Sequence, residues 1–149
     1  MVSIELSPGA EENGLASMLS DLVRQNLEAK PHKVPDFEAL HGSVAIVAED
    51  ADVCLTLRFE SGGHLTIHDG IVGIPDVAIR GTSDMIMAMS NMPLTRPLGL
   101  PFPDPRDKAQ LAVSQAVMTA MRVGELKMYG ALFHPALVVR LTRVMSVNG

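Results

Sequence analysis

The chain has no tryptophan, one tyrosine and four phenylalanines in 149 residues. A core of this composition is filled by aliphatic and thioether side chains, and broad aromatic stacking platforms for bases are excluded. Cysteine is almost absent too. Cys54 stands alone, so no internal disulfide can form, which fits a reducing compartment and gives a cytoplasmic expectation. There is no excess of basic charge. Lys and Arg number 12 against 17 Asp and Glu, for a net charge of −5, so nothing can neutralise a row of phosphates and a nucleic-acid partner is not expected. No stretch approaches eighteen consecutive apolar residues, so no membrane span is expected. The opening "MVSIELSPGAEENG" has no basic run leading into an apolar core, so it does not read as a secretory signal. The ending Val147-Asn148-Gly149 is no peroxisomal address.

Signatures of catalysis are missing as well. There is no G-x-S-x-G, H-E-x-x-H or C-x-x-C, and no Gly-rich loop running from strand to helix. His64 and His68 share a strand face, but their backbones are roughly 13 Å apart at strand rise, too far to share one zinc at about 2 Å from each nitrogen. Arg58 shares a face with Cys54, yet a lone Cys without a placed His is a structural residue in most settings. The chain is therefore expected to be no enzyme, with no catalytic residue, no metal site and no cofactor.

What is present is methionine. Ten occur in the chain, four of them in Ser83–Met92, "SDMIMAMSNM". Met is flexible and polarizable, and suits a surface that must fit something not always there; it also serves as filler in an ordinary core. Hydrophobic residues make up 47% and charged residues 19%, the balance of a globular chain. At this length a single domain buries roughly 68–70% of the surface its unfolded chain exposes.

Residues 1–12 are polar, contain Gly and Pro, and are expected to be flexible. Leu15, Met18, Leu19, Leu22, Val23 and Leu27 then recur at helical spacing. Pro31 stops that helix, "KPHKVPD" reads as a connector, and "FEALHG" as one further turn closed by Gly42. The period then changes to two. "SVAIVAED" and "DVCLTLRFE" read as strands. In the second, Val53, Leu55, Leu57 and Phe59 oppose Cys54, Thr56, Arg58 and Glu60, the latter on a wetter face. Ser61-Gly62-Gly63 turns it into "HLTIHD" as a hairpin. "DVAIRG" is a further strand.

Thr82 or Ser83 can cap the next helix, with Asp84 in its first turn. On it Met85, Met89 and Met92 form one stripe, flanked by Ile86. Five prolines between Pro93 and Pro105 exclude helix and central strand there. Asp104 or Asp107 starts another helix, carrying Val117, Met118 and Met121 and broken at Gly124. "ELKMYG" reads as a last strand. Pro135 opens a closing helix whose stripe is Phe133, Leu137, Leu141 and Val144, with Arg140 and Arg143 in water.

Three segments together resemble the sterol carrier protein 2 (SCP-2-like) lipid-binding family. They are "VCLTLRFESGGHLTIHDG", "DVAIRGTSDMIMAM" and "MTAMRVGELKMYGALFHPALVVRL", and the similarity spans roughly residues 44 to 147. The resemblance implies an α/β (α+β) domain over residues 13–149, with an about five-stranded, mostly antiparallel sheet, helices packed on one face, and an apolar tunnel between. It implies non-enzymatic binding or transport of an apolar small molecule or lipid, whether fatty acyl, sterol, isoprenoid or phospholipid, with transient membrane contact. Met85, Met89, Met92, Met118, Met121, Phe133, Leu137 and Leu141 are then the candidate lining. The chain departs from compact members by an insertion from Asn91 to about Ser114, with its proline-rich part around residues 93–105, and it lacks the peroxisomal ending of some relatives. A competing reading is a protein–protein module that docks a partner or a second copy on a Met-rich surface, without a tunnel. Four cations, Arg80, Arg96, Lys127 and Arg140, are candidates for contact with an anionic ligand group, and the sequence does not rank them.

Overall fold

The computed structural model of the chain describes residues 2–91 and 106–148. Strands β1 (Ser3–Leu6), β2 (Gly42–Ala48), β3 (Val53–Glu60), β4 (His64–Asp69), β5 (Val77–Gly81) and β6 (Leu126–Tyr129) form one sheet in the order β1-β4-β3-β2-β5-β6. The helices are α1 (Gly14–Ala29), α2 (Val34–Ala39), α3 (Ser83–Ala88), α4 (Lys108–Val123) and α5 (Pro135–Met145). The pairs β2–β3, β3–β4 and β5–β6 are antiparallel, and β1–β4 and β2–β5 are parallel.

The architecture is the expected α/β one with one strand more, and that strand corrects the reading of residues 1–12 as flexible. The β3–β4 hairpin leaves the outer edge of β4 unpaired. Ser3–Leu6 fills that edge in parallel with His64–Ile67, and Ile4 and Leu6 pack against the core. Helix α1 begins where the polar leader ends. The side-chain oxygen of Asn13 accepts from Ala16 N, while its amide donates to Cys54 O and to Asp69 Oδ1. A single cap thus fixes the helix start to the ends of two strands.

Strand alternation places Val44, Ile46, Leu55, Leu57, Phe59, Leu65, Ile67, Val77 and Ile79 on the helix-covered face, all buried. Each such side chain contributes about 1.5–3 kcal/mol when fully removed from water. On α1 the buried stripe is Ala16, Leu19, Val23 and Leu27, with Ser20 and Asn26 beside it. Met18, expected on that stripe, is exposed; the small residues Ala16 and Ser20 let the helix approach the sheet on a slightly rotated face. The connector after α1 is more ordered than expected. Pro31–Lys33 make a 3-10 turn and α2 starts at Val34, both prolines lying in opening turns where a missing N–H is harmless. Helix α2 ends at Ala39, and Gly42 opens β2 instead of closing the helix.

The turn after α1 grips the end of α5. Lys33 is buried, and its Nζ donates to Ser146 O and Asn148 O. Asn26 donates to Val144 O and Met145 O, and Lys30 Nζ donates to Val147 O at 2.8 Å. These carbonyls have no intrahelical partner at a helix C-terminus, and the dipole there favours a cation. Burial, helped by the neighbouring Lys30 charge, lowers the Lys33 pKa from 10.5 to about 8, with Asp36 opposing.

The opposite sheet face is less open than alternation implies. Strand β5 runs parallel to β4, with β3 and β2 between them, so residues 70–76 must cross those two strands. They cross on the face away from the helices. Thr56 Oγ1 donates to Gly70 O and accepts from Val72 N, and Asp76 N bonds Ser43 O. Thr56, expected on a wet face, is therefore 1% exposed. Arg58 stays in water and Cys54 is half-buried.

Candidate functional site

Helix α3 packs on β5, and the 3-10 turn that follows it meets α5 over the sheet's inner face. Thr82 caps α3, its Oγ1 accepting from Met85 N. After Ala88 the chain tightens into a 3-10 turn, Met89–Asn91, where Ser90 Oγ donates to Met87 O and Ser90 O accepts from Val147 N. Helix α5 starts on Pro135, as its sequence implies. Between these elements and the sheet is a cavity lined by Ile46, Leu57 and Ile79 from the strands, Ile86 and Met89 from the α3 side, and Leu141, Thr142 and Met145 from α5. The wall is almost wholly apolar, because the hydroxyl of Thr142 is spent on Val138 O at 2.8 Å.

The cavity volume is about 20 Å3, close to the space of a single water. The helices are thus drawn down on the sheet. The walls are nevertheless adaptable, since Met89 and Met145 have several low-energy shapes and α3 is only six residues long.

The expected lining residues divide into five groups. Met89 and Leu141 line this cavity. Met85 is half-buried and packs against the core beside it, and Leu137 is buried and lines a neighbouring cleft. Met118 and Met121 do not reach the cavity: they are 65% and 42% exposed, because α4 turns Val117 and Ala120 inward. Phe133 is also displaced from the expected stripe. It precedes α5 in a turn after β6 and is 86% exposed, at the rim of the cleft that Leu137 lines. Met92 and the proline-rich stretch 93–105 lie outside the described residues.

Several wall residues were not among the candidates. Ile46 and Ile79 are direct partners across β2 and β5, and alternation alone marks them as facing the helices. Met145 is one turn beyond Leu141, so extending the α5 stripe by four residues would have found it. The second cleft, about 360 Å3, opens at the N-terminal end of α5 and includes His41, Asp76, Phe133, His134, Leu137 and Arg140. No group of three or more His, Cys, Asp or Glu side chains able to hold a metal occurs among the described residues.

No protein-family model matches the chain, and no curated protein matches it in sequence. Among solved structures it is similar to one described as "UbiJ-SCP2 Ubiquinone synthesis protein", at 14% identity and a TM-score of 0.55, covering 87% of this chain and 90% of that one. The fold is SCP2-like. A Thermus thermophilus protein described as a candidate sterol carrier protein also aligns, at 11% identity over 86% of this chain and 84% of that one. Its TM-score of 0.38 carries no weight here. Among the described residues, six strands and five helices leave a nearly closed apolar cavity between sheet and helices. Among the described residues, no helix is long and apolar enough to cross a membrane.

Proposed function

We propose that this protein binds a chain-bearing apolar ligand between α3, α5 and the inner sheet face, and carries it without chemical change. The observation behind this reading is the Met-bordered apolar cavity whose one polar wall group is already hydrogen-bonded within its own helix. Such a wall offers dispersion and desolvation and no reacting group. The UbiJ-SCP2 protein with the same fold is described by its part in ubiquinone synthesis. For this chain that extends the acyl and sterol classes to isoprenoids, without choosing among them.

Binding requires the cavity to open. Ten methylenes transferred from water yield roughly 8 kcal/mol gross, and the ordering cost leaves affinity weaker than about micromolar unless a longer chain or a head-group contact adds to it. Native mass spectrometry, with solvent extraction of whatever co-purifies, tests the proposal. A retained lipid-like mass that leaves unaltered supports it. Failure to bind acyl, sterol and isoprenoid probes refutes it and favours the second reading, a docking surface formed by Met118, Met121 and Val123. That alternative rests on their exposure on one end of α4.

A further inference from the structure

The cleft at the start of α5 separates the three described cations among the four that the sequence left equal. Arg80 lies on the outer sheet face with its Nε 2.9 Å from Glu49 Oε1. Lys127 is its register partner across β5 and β6, exposed on that same outer face, away from the cavity. Arg96 is outside the described residues. Arg140 lines the cleft and makes no hydrogen bond or ion pair to any described residue.

Arg122, exposed on α4, has no such partner either, so what distinguishes Arg140 is its place in a cleft. Arg24, Arg58 and Arg143 each lie within 3.6 Å of a carboxylate oxygen. A carboxylate is present in the Arg140 cleft too, but it is engaged elsewhere. Asp76 Oδ2 accepts from Ser43 N at 2.9 Å, and Asp76 Oδ1 is 3.9 Å from His134 Nε2. Asp76 thus holds the start of β2 through one oxygen, while the other stands beyond hydrogen-bond reach of His134 and makes no ion pair with Arg140. Gly130 keeps this arrangement tight. A Cβ there would stand 2.2 Å from Asp76 O, and its φ is +81°.

The cleft and the apolar cavity share the wall of α5. Leu137 faces the cleft and Leu141 the cavity, one helical turn or about 6 Å apart. The two spaces share no lining residue, so an amphiphile with its head at Arg140 reaches Met89 and Met145 only by displacing the side chains between Leu137 and Leu141. We infer that the cleft of Arg140, His41 and His134 is a head-group site that selects ligands bearing a carboxylate or phosphate over neutral apolar ones. The inference rests on the carrier reading above and adds to it the head-group chemistry. The planar guanidinium offers two parallel N–H donors, the geometry that suits both oxyanions.

The test uses three C16 probes at pH 8: the fatty acid, the alcohol and the alkyl monophosphate, each titrated by displacement of a fluorescent lipid. The wild type should bind the two anionic probes roughly tenfold or more tighter than the alcohol, in line with a charged hydrogen bond. Arg140→Gln should abolish that preference and leave alcohol affinity unchanged. Arg140→Lys should restore part of it, and Arg80→Gln on the outer face should change nothing. The anion losing more affinity in Arg140→Gln identifies the resident head group. Equal binding of acid, phosphate and alcohol to the wild type, or a preference surviving in a folded Arg140→Gln, overturns the head-group site while the carrier reading stands. Failure of all three probes to bind overturns both.

Discussion

Over β4 and β3, helices α1 and α2 bring Leu19, Val23, Phe37 and Leu40 down to 1% exposure, and Phe37 meets Phe59 edge-on at 6.3 Å and 81°. Over β5 and β6 the described residues give a thinner cover. Helix α3 has six residues and α4 buries only Val117 and Ala120. The first half uses branched aliphatics and aromatics, whose few rotamers lock a packing. The second half borders its cavity with Met89 and Met145, which can repack at small cost. The sequence thus distributes rigidity and compliance to opposite halves of one sheet.

The largest expected effect lies in the rigid half. Phe37→Ala should cost about 3–5 kcal/mol by denaturant unfolding, since the pocket around Phe59 and Leu40 has no slack to collapse into. A cost near 1 kcal/mol would show that half to be compliant as well.

Next comes Lys33, at the seam between the turn after α1 and the end of α5. With a folded pKa of about 8 against 10.5, the native state gives up this proton earlier than the unfolded chain. Below pH 8 both states hold it and the stability has no slope from this group. Between pH 8 and 10.5 the unfolded state binds more protons, so unfolding free energy rises with pH. The charge penalty relieved is at most about 3 kcal/mol, and the two carbonyl acceptors, which favour the cation, reduce it. Denaturant midpoints of wild type and Lys33→Met, compared at pH 7, 8, 9 and 10, isolate the effect. The wild type should gain on the variant only above pH 8.

Met89→Ala probes the compliant half. The added space joins an existing cavity, so the stability loss should be about 1 kcal/mol, below the 2–5 of a closed core site, while affinity for a fluorescent fatty acid shifts. A large stability loss with unchanged affinity would make that half ordinary core. The smallest effect is expected at Met118→Ala, which should stay within about 0.5 kcal/mol and leave fatty-acid affinity unaltered.

Most of the sheet was legible because period-two alternation is a local signal. The hairpin at Gly62-Gly63, the Thr82 cap and the break at Gly124 were readable for the same reason. Strand β1 was not, since four residues with two apolar side chains become a strand only when a distant edge is offered to them. The burial of Thr56 also escaped, because it depends on which face the crossing loop takes. For the cavity, spacing on each helix marked Met89 and Leu141, which border it, together with Met85 and Leu137, which do not, and it carried no information on how α4 is rotated about its axis. Met118 and Met121 were therefore placed inward when Val117 and Ala120 are the residues that face the sheet.

The grip of Asn26 and Lys33 on residues 144–148 has a consequence for synthesis. The partners are separated by 113 to 119 positions. At about 5–20 residues per second, a ribosome makes the second partner roughly 6–24 s after the first. Once β4 has been made α1 can dock on β1 and β4, but its Asn26 amide and the Lys33 ammonium must stay hydrated, since their acceptors do not yet exist. Closure of the clasp is therefore tied to the synthesis of α5, the last helix of this domain among the described residues.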